Sequence, residues 1–184
     1  MIRDGAAEMN IAVYCGSRMG DDEEYAAAAV RLGQWICQAG HGMVYGGGNI
    51  GLMGLIADTV LEEGGAVTGV IPEFLIEAEV GHEGLHTLEV VRTMTERKNR
   101  MIELSGAFIA MPGGTGTLEE IAEVISLQKL GLQDKPCVFY NIKGFYEPLR
   151  QMLADMVAAD FLTAEDFRKI HFISRPEDLD QILG

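Results

Sequence analysis

Short, continuously apolar runs alternate along this chain with longer segments whose apolar residues recur at helical spacing. The apolar runs read NIAVYC, GMVYGGG, AVTGVI, LHTLEVV, AFIAM, CVFY and IHFIS. Strands that are apolar on both faces are typical of a parallel sheet covered by helices on either side. The pattern therefore predicts an α/β fold, a doubly wound Rossmann-like parallel sheet of about six to seven strands flanked by helices.

Helices are predicted between these strands, over residues 23–39, 49–65, 94–104, 118–129, 145–157 and 176–183. Right-handed crossovers place the loops that follow the strands along one edge of the sheet, where the ligands of such sheets bind. Glycine-rich turns follow the first, second and fifth strands. We expect these three turns to converge on one site.

The length and composition of the chain limit its domain number and the kinds of partner it can bind. A chain of 184 residues fits a single domain over residues 1–184, with residues 1–9 predicted as a flexible N-terminal extension. The excess of 28 acidic over 14 basic residues argues against nucleic-acid binding, since that depends on neutralising phosphates. No apolar run approaches the ~20 residues of a membrane span. Three cysteines without CxxC spacing are typical of buried thiols, so we predict a cytoplasmic protein without a membrane or nucleic-acid partner.

The segment MPGGTGTLEE, residues 111–120, joins the fifth strand to a helix. Its glycines let a ligand approach the backbone, and the free amides and positive dipole end of the helix attract an anion. The GxxxxGK[ST] spacing and lysine of a P-loop are missing, which favours a monophosphate over a triphosphate. The predicted phosphate-binding residues are Gly113, Gly114, Thr115, Gly116 and Thr117.

Glu120 in this segment has two interpretations. Thr117 and Glu120 stand at the spacing of a capping box, in which Glu120 would serve only the helix start. Alternatively, the carboxylate faces the crevice one turn beyond the bound anion, where it acts on the sugar of the ligand. Both interpretations stay open at the level of the sequence.

The turn YGGGNIGLMG places Gly46, Gly48 and Gly51 at GxGxxG spacing between a strand and a helix, the fingerprint of dinucleotide sites. It follows the second strand rather than the first, and the next strand reaches Glu73 only after a proline, so no acid is placed for a ribose. NAD binding is therefore a minor alternative. A tight turn built for close packing is another.

Two further features concern metal binding and charge. HEGLH at residues 82–86 matches the zinc motif HExxH, but Gly81 and Gly84 break the helix that the motif needs, so the match is read as accidental and no metal site is predicted.

Arg97 interrupts an apolar helical stripe. Its guanidinium either snorkels to solvent or, where desolvated, requires an anionic partner, which is a structural carboxylate, Glu120 or the ligand.

Five segments occur together in the order found in one known family: CGSR, VYGGGNIGLMG, GVIP, ERKNRM and PGGTGTLEE. From about residue 10 to about residue 149 the chain resembles the Lonely-Guy (LOG) family, cytokinin riboside 5'-monophosphate phosphoribohydrolases often labelled lysine decarboxylases. The resemblance implies hydrolysis of the N-glycosidic bond of AMP-type nucleoside 5'-monophosphates, including N6-prenylated ones, to free base and ribose 5-phosphate.

The same resemblance implies roles for individual residues. Arg97 and Glu120 match the catalytic pair of the family, and no cofactor is required. The carboxylate would stabilise an oxocarbenium-like state or activate water, while the guanidinium acts electrostatically. Members of this short type are commonly homodimers. Positions expected around the nucleotide are Ser17, Gly46, Gly47, Gly48, Met94 and Lys98, in addition to the phosphate turn.

The chain departs from the family pattern at three positions. Thr95 stands where the family has the histidine of MHxRK, and Leu127 and Gln133 stand where many members have a tryptophan and a histidine. These changes leave Arg97 and Glu120 intact but leave the base preference open. A non-catalytic carrier of a nucleotide or of molybdenum cofactor, using the same crevice, is the alternative function, although a carrier has no need of both residues.

Overall fold

The computed structural model describes residues 8–184. Seven strands form one sheet in the order β4-β3-β2-β1-β5-β6-β7, and all neighbouring pairs are parallel. The fold class predicted from the apolar pattern is confirmed. The strands are β1 (Asn10–Tyr14), β2 (Gly42–Tyr45), β3 (Val67–Pro72), β4 (Thr87–Val91), β5 (Ala107–Ala110), β6 (Cys137–Tyr140) and β7 (Ile170–Ile173).

Helices cover both faces of this sheet. The longer helices are α1 (Glu23–Gln38), α2 (Gly51–Glu62), α3 (Met94–Leu104), α4 (Thr115–Lys129) and α5 (Glu147–Ala158), followed by the short α6 (Ala164–Arg168) and α7 (Asp180–Leu183). One hydrophobic cluster packs α1 and α2 against the sheet, and a second packs α3, α4 and α5 on the opposite face. Because both faces are covered, every residue of β5 and β6 is buried.

The order of the strands creates the crevice. The chain runs outward from β1 to β4 and then returns to place β5 on the other side of β1. The helices that follow β1 and β5 therefore leave toward opposite faces, and the loops after these strands separate. Residues 73–86, between β3 and β4, contain a 3-10 turn at Glu73–Leu75 and lie beside this opening; we refer to them as the 73–86 segment.

Some boundaries differ from the predictions. Helix α4 begins at Thr115 rather than at residue 118, because the amide of Leu118 already donates to the carbonyl of Gly114. Helix α6 was not predicted, and the predicted helix over residues 176–183 is a 3-10 turn at Pro176–Leu179 followed by α7. Residues 1–7 of the predicted N-terminal extension lie outside the described residues, while the carbonyl of Met9 accepts from the amide of Gly42. No helix between residues 8 and 184 is long and apolar enough to cross a membrane.

Candidate active site

A cleft of about 290 Å³ opens at the carboxyl edge of the sheet, between the loops that follow β1 and β5 and the 73–86 segment. Both helices that carry predicted catalytic residues border it, since α3 provides Arg97 and α4 provides Glu120. The cleft is lined by Cys15, Gly16, Ser17, Met53, Leu75, Glu79, Met94, Arg97, Gly114, Thr115, Gly116, Thr117, Glu119 and Glu120.

The start of α4 presents unused hydrogen-bond donors to this cleft. Gly114 is the N-cap residue, and no side chain caps the helix, whereas Asp22 and Thr93 cap α1 and α3. Within residues 8–184, the amides of the first three residues of α4 have no protein acceptor. An uncapped helix start of this kind attracts an anion.

The three glycines of this turn differ in why they are glycine. A Cβ on Gly113 would lie 2.2 Å from Oγ1 of Thr117, so internal packing excludes a side chain there. Gly114 and Gly116 have no atom of residues 8–184 within 4 Å of such a Cβ, and neither lies in the left-handed region. Packing within the protein therefore gives no reason for these two glycines, and both face the cleft.

Arg97 is buried beneath the cleft, with 4% of its surface exposed. Its Nε donates to the carbonyl of Val70 at 3.0 Å, and its Nη2 donates to the carbonyl of Gly46 at 2.7 Å. The same Nη2 contacts Oε2 of Glu79 at 3.2 Å. A Cβ on Gly46 would lie 1.9 Å from Nη2, so the guanidinium occupies the space that a side chain would need.

The anionic partner of Arg97 is thus a structural carboxylate, Glu79. The pairing with Glu120 considered from the sequence is not formed: no ion pair within residues 8–184 joins Arg97 to Glu120. Arg97 nevertheless lies near enough to oppose the rise in the pKa of Glu120. The guanidinium therefore acts on Glu120 through space rather than through a hydrogen bond.

Glu120 itself is half-buried, and burial raises the pKa of its carboxyl group to about 7. The nearby Glu119 and Glu79 raise this pKa further, while Arg97 and Lys98 lower it. The capping-box interpretation is wrong, because Gly114 is the N-cap and Thr117 is the third helical residue rather than the cap. Glu120 lies in the second turn and is free to face the cleft.

The remaining predicted residues fall into two groups, those that line the cleft or an adjoining hollow and those that line neither, which are Lys98, Gly46, Gly47 and Gly48. Ser17 and Met94 line the cleft together with the α4 start, and Gly113 lines an adjoining hollow beside Tyr25 and Phe145. Lys98 is not among the lining residues, because its ammonium group pairs with the carboxylates of Glu119 and Glu123.

In the turn after β2, each of the three glycines at GxGxxG spacing is packed closely against another part of the protein. Gly46 makes room for Arg97, a Cβ on Gly48 would lie 3.0 Å from Cβ of Glu79, and one on Gly51 would lie 2.4 Å from the backbone of Ser17. The amide of Leu52 donates to the carbonyl of Gly16 at 3.1 Å. These contacts support the packing interpretation of GxGxxG rather than a dinucleotide site.

The HEGLH letters lie in turns and in the approach to β4, not on a helix. Nε2 of the buried His82 lies 3.0 Å from a carboxylate oxygen of Asp58, and the amide of Gly84 donates to Nδ1. Two histidines on one helical face, as the zinc motif requires, are therefore not present. His82 instead anchors the 73–86 segment to α2.

Sequence reasoning missed Glu79. It is one of four glutamates in the irregular 73–86 segment, and nothing in their spacing distinguishes it. Its inward position depends on the fold of that segment, which is held by the amide of Asn49 donating to the carbonyl of Glu79 at 2.9 Å and by the amide of His82 donating to Gly47 at 3.0 Å. The cleft-lining Cys15, Met53 and Leu75 were missed as well.

The parallel sheet, the uncapped start of α4 and the Arg97–Glu120 neighbourhood define a Rossmann-like α/β protein with a cleft at its switch point, bordered by an uncapped helix start. A family model described as "Possible lysine decarboxylase" matches residues 53–183. The chain belongs to the LOG family of cytokinin riboside 5'-monophosphate phosphoribohydrolases.

Sequence relatives carry this assignment. The cytokinin riboside 5'-monophosphate phosphoribohydrolase LOG of Oryza sativa subsp. japonica is 44% identical over 173 residues, covering 94% of this chain and 71% of the relative. The enzyme of the same name from Rhodococcoides fascians is 43% identical over 155 residues, covering 84% of this chain and 78% of the relative.

Solved structures show the same fold at lower identity. The molybdenum cofactor carrier protein of Chlamydomonas reinhardtii superposes with a TM-score of 0.72 at 20% identity, covering 96% of this chain and 98% of that one. The molybdenum cofactor binding protein of Rippkaea orientalis gives a TM-score of 0.69 at 20% identity, with coverages of 96% and 95%. At this identity the likeness concerns the fold alone.

Proposed function

We propose that this protein hydrolyses the N-glycosidic bond of AMP-type nucleoside 5'-monophosphates, N6-prenylated forms included, to free base and ribose 5-phosphate. The observation that carries the proposal is one cleft that combines an uncapped, glycine-lined helix start with Arg97 and a carboxyl group whose pKa is about 7. The names of the sequence relatives support the same reaction.

The start of α4 holds the 5'-phosphate in this proposal. The free amides of Thr115, Gly116 and Thr117 supply donors, and the open glycines let phosphate oxygens come close to the backbone. Ser17, from the loop after β1, faces the same space. Lys98 is held by its ion pairs with Glu119 and Glu123, so in this proposal it acts on the phosphate through its charge and not by direct contact.

Glu120 acts at the anomeric carbon. Cleavage of the C–N bond sends its electron pair to the base and leaves an oxocarbenium-like sugar, which an adjacent carboxylate stabilises. Water then forms the new C–O bond and loses a proton to Glu120, and the anionic base takes up a proton from solvent to leave as the free base. A pKa of about 7 suits such a base near neutral pH, because both protonation states are accessible.

Arg97 supports this step electrostatically. A guanidinium does not release its proton readily, so it stabilises negative charge that develops on the departing base without acting as an acid. Leu75, Met53 and Met94 provide apolar surface in the same cleft, next to Glu79. We assign the base to this side.

A base-release assay over purine and pyrimidine 5'-monophosphates, with AMP and N6-prenyl-AMP among them, tests the proposal. We expect free base from AMP-type substrates, and a loss of roughly a thousandfold or more in kcat for Glu120→Gln. Glu119→Gln on the same helix, whose carboxylate is paired with Lys98, should lose far less. Failure of every monophosphate to yield base across neutral pH would refute the activity. Retention of an intact ligand on prolonged incubation would point to the carrier alternative.

We also propose a homodimer formed through the apolar groove between α4 and α5. None of the residues of α5 is buried, although the helix is amphipathic, and Leu118, Met152 and Phe161 are exposed along the groove. Met152→Asp should shift the protein from dimer to monomer in sedimentation equilibrium. Leu132→Asp, at an exposed leucine outside the groove, should leave the dimer intact, and a wild-type monomer would contradict the idea.

We also propose, from the composition of the chain, that the protein has no nucleic-acid partner and is cytoplasmic. A net charge of -14 disfavours nucleic-acid partners, and the free cysteines, of which Cys15 and Cys137 are buried, suit a cytoplasmic protein.

A further inference from the structure

Glu79 is the one carboxylate of the cleft that contacts Arg97, and the reaction proposed above gives it no role. Its side chain is 18% exposed, and its carbonyl accepts from the amide of Asn49. Its own amide donates to the carbonyl of Leu75 at 2.8 Å. The backbone on both sides of Glu79 is therefore held, so the position of its carboxylate is fixed by the 73–86 segment and by the turn after β2.

The donors of Arg97 can be counted against their acceptors. A guanidinium has five N–H groups, one on Nε and two on each terminal nitrogen. Nε is used by the carbonyl of Val70, and the two hydrogens of Nη2 are used by the carbonyl of Gly46 and by Glu79. In the described part of the chain, Nη1 has only Sδ of Met94 at 4.0 Å, a weak acceptor. Nη1 is thus the nitrogen that remains for the ligand.

We propose that Glu79 is a positioning residue for Arg97: it holds Nη2, directs Nη1 into the cleft and keeps the guanidinium from forming an ion pair with Glu120. The inference rests on the proposed function for its consequence in catalysis, but the arrangement itself concerns the ligand-free protein. Without Glu79, Glu120 remains in the cleft as a carboxylate on which the guanidinium already acts through space.

The charged groups around Glu120 determine in which direction its pKa should shift when Glu79 is replaced. Removing the negative charge of Glu79 lowers the pKa of Glu120 directly, and a guanidinium that moves toward Glu120 lowers it again. The groups that face Glu120 are Arg97 and Lys98 from α3, Glu119 from α4, Glu79 from the 73–86 segment, and Tyr14 and Cys15 from the end of β1.

A pH titration of the Glu120 carboxyl carbon by NMR decides the matter without any substrate. The protein is labelled with carbon-13 at glutamate Cδ, and the resonance of Glu120 is assigned by its loss in Glu120→Gln. We expect the pKa of Glu120 to fall by about one unit in Glu79→Gln and by more in Glu79→Ala. Glu77→Gln removes the same charge from an exposed position of the same segment and should leave the titration unchanged.

Kinetics on AMP then separate positioning from contact with the base. Glu79→Ala should lower kcat roughly tenfold to a hundredfold with KM changed by less than about threefold, since a misdirected donor acts on the transition state. Glu79→Gln keeps an oxygen for Nη2 and should recover most of that loss. Thermal melting checks that each variant folds, and Glu79→Gln, which matches the native volume, carries the test if Glu79→Ala does not.

An unchanged pKa of Glu120 in both Glu79 variants would overturn the inference, and so would an equal fall in both, because the lost charge of Glu79 alone explains an equal fall. So would a loss confined to 6-aminopurine nucleotides, which would make Glu79 a group that contacts the base. If the wild-type protein releases no base from any monophosphate but the carboxyl titration shifts as expected, the proposed function fails while the positioning of Arg97 by Glu79 stands.

Discussion

Two glycine-rich turns of this protein look alike in sequence and differ in what their glycines do. In the turn after β2, Gly46, Gly48 and Gly51 are needed because Arg97, Glu79 and Ser17 occupy the space of a side chain. In the turn after β5, Gly114 and Gly116 have open space around them within residues 8–184, and the amides of the first three residues of α4 have no acceptor there. One turn is filled by the protein itself, and the other leaves room for a ligand.

The comparison shows that glycine spacing alone does not identify a ligand site. Both turns join a strand to a helix at the same edge of the sheet. What separates them is whether other parts of the chain already satisfy the donors of the helix start, as the carbonyl of Gly16 does for Leu52 in α2. This depends on contacts between residues distant in sequence, so it becomes visible only in the fold.

Among substitutions in the two turns, Gly46→Ala should have the largest effect, because the new Cβ would lie 1.9 Å from Nη2 of Arg97 and displace the guanidinium. We expect kcat/KM for AMP to fall roughly a hundredfold or more, with a loss of about 1–3 kcal/mol in unfolding free energy from overpacking. Steady-state base release and thermal melting measure the two quantities.

The control for Gly46→Ala is Gly33→Ala in α1, where a Cβ would lie 2.9 Å from Cγ2 of Thr59, away from the cleft. It should lower the melting temperature without lowering kcat/KM. Equal losses of activity in the two variants would mean that Gly46 matters only for stability.

Gly116→Ala should have a smaller effect on activity than Gly46→Ala, and it should not lower stability. No atom of the described residues lies within 4 Å of the new Cβ, and alanine is favoured over glycine in a helix by up to about 1 kcal/mol, so the protein should be as stable or slightly more stable. KM for AMP should rise about tenfold if the methyl group keeps phosphate oxygens from the backbone. Protection against thermal unfolding by inorganic phosphate should weaken in parallel, and an unchanged KM would argue against a phosphate at this helix start.

The fold could be predicted from the sequence because it depends on local apolar patterns. Helix α3 and strand β6 have the predicted bounds, since their apolar spacing and flanking residues agree. The start of α4 was placed three residues late, because Thr-Gly-Thr is a weak helix-forming sequence and was read as a loop. That shift decided the Thr117–Glu120 question, which depends on register rather than on composition.

The site could be predicted only in part. The residues of the phosphate turn and of the Arg97–Glu120 neighbourhood were identified by motif and by resemblance, and the structure brings most of them to one cleft. The partner of Arg97 could not be identified, since any of the acids of the 73–86 segment satisfies the same requirement for charge. Lys98 was expected at the nucleotide, but two carboxylates on α4 hold it outside the lining of the cleft.

Glu120, on the helix that follows the turn after β5, should also make activity depend on pH. Burial raises the pKa of Glu120 to about 7, and the proposed reaction uses the carboxylate form. We therefore expect kcat for AMP to fall about tenfold for each pH unit below that pKa and to level off above it. A profile of kcat from pH 5 to pH 9 at saturating AMP measures this, and a flat profile between pH 5.5 and pH 8 would show that ionised Glu120 is not required.

The smallest expected effect concerns stability. The folded-state pKa of Glu120, about 7, lies above its ordinary value of 4.5, so the carboxyl group adds no cost below pH 4.5 and destabilises the fold as pH rises through about 7. Glu120→Gln should then leave the melting temperature nearly unchanged at pH 4.5 and raise the unfolding free energy on the order of 2 kcal/mol at pH 8. Glu77→Gln, at an exposed position, should show no such difference between the two pH values. A variant that loses catalysis while gaining stability only at high pH would show that the cleft keeps a charge the fold disfavours. No gain at pH 8 would mean that the ligand-free protein already compensates this carboxylate.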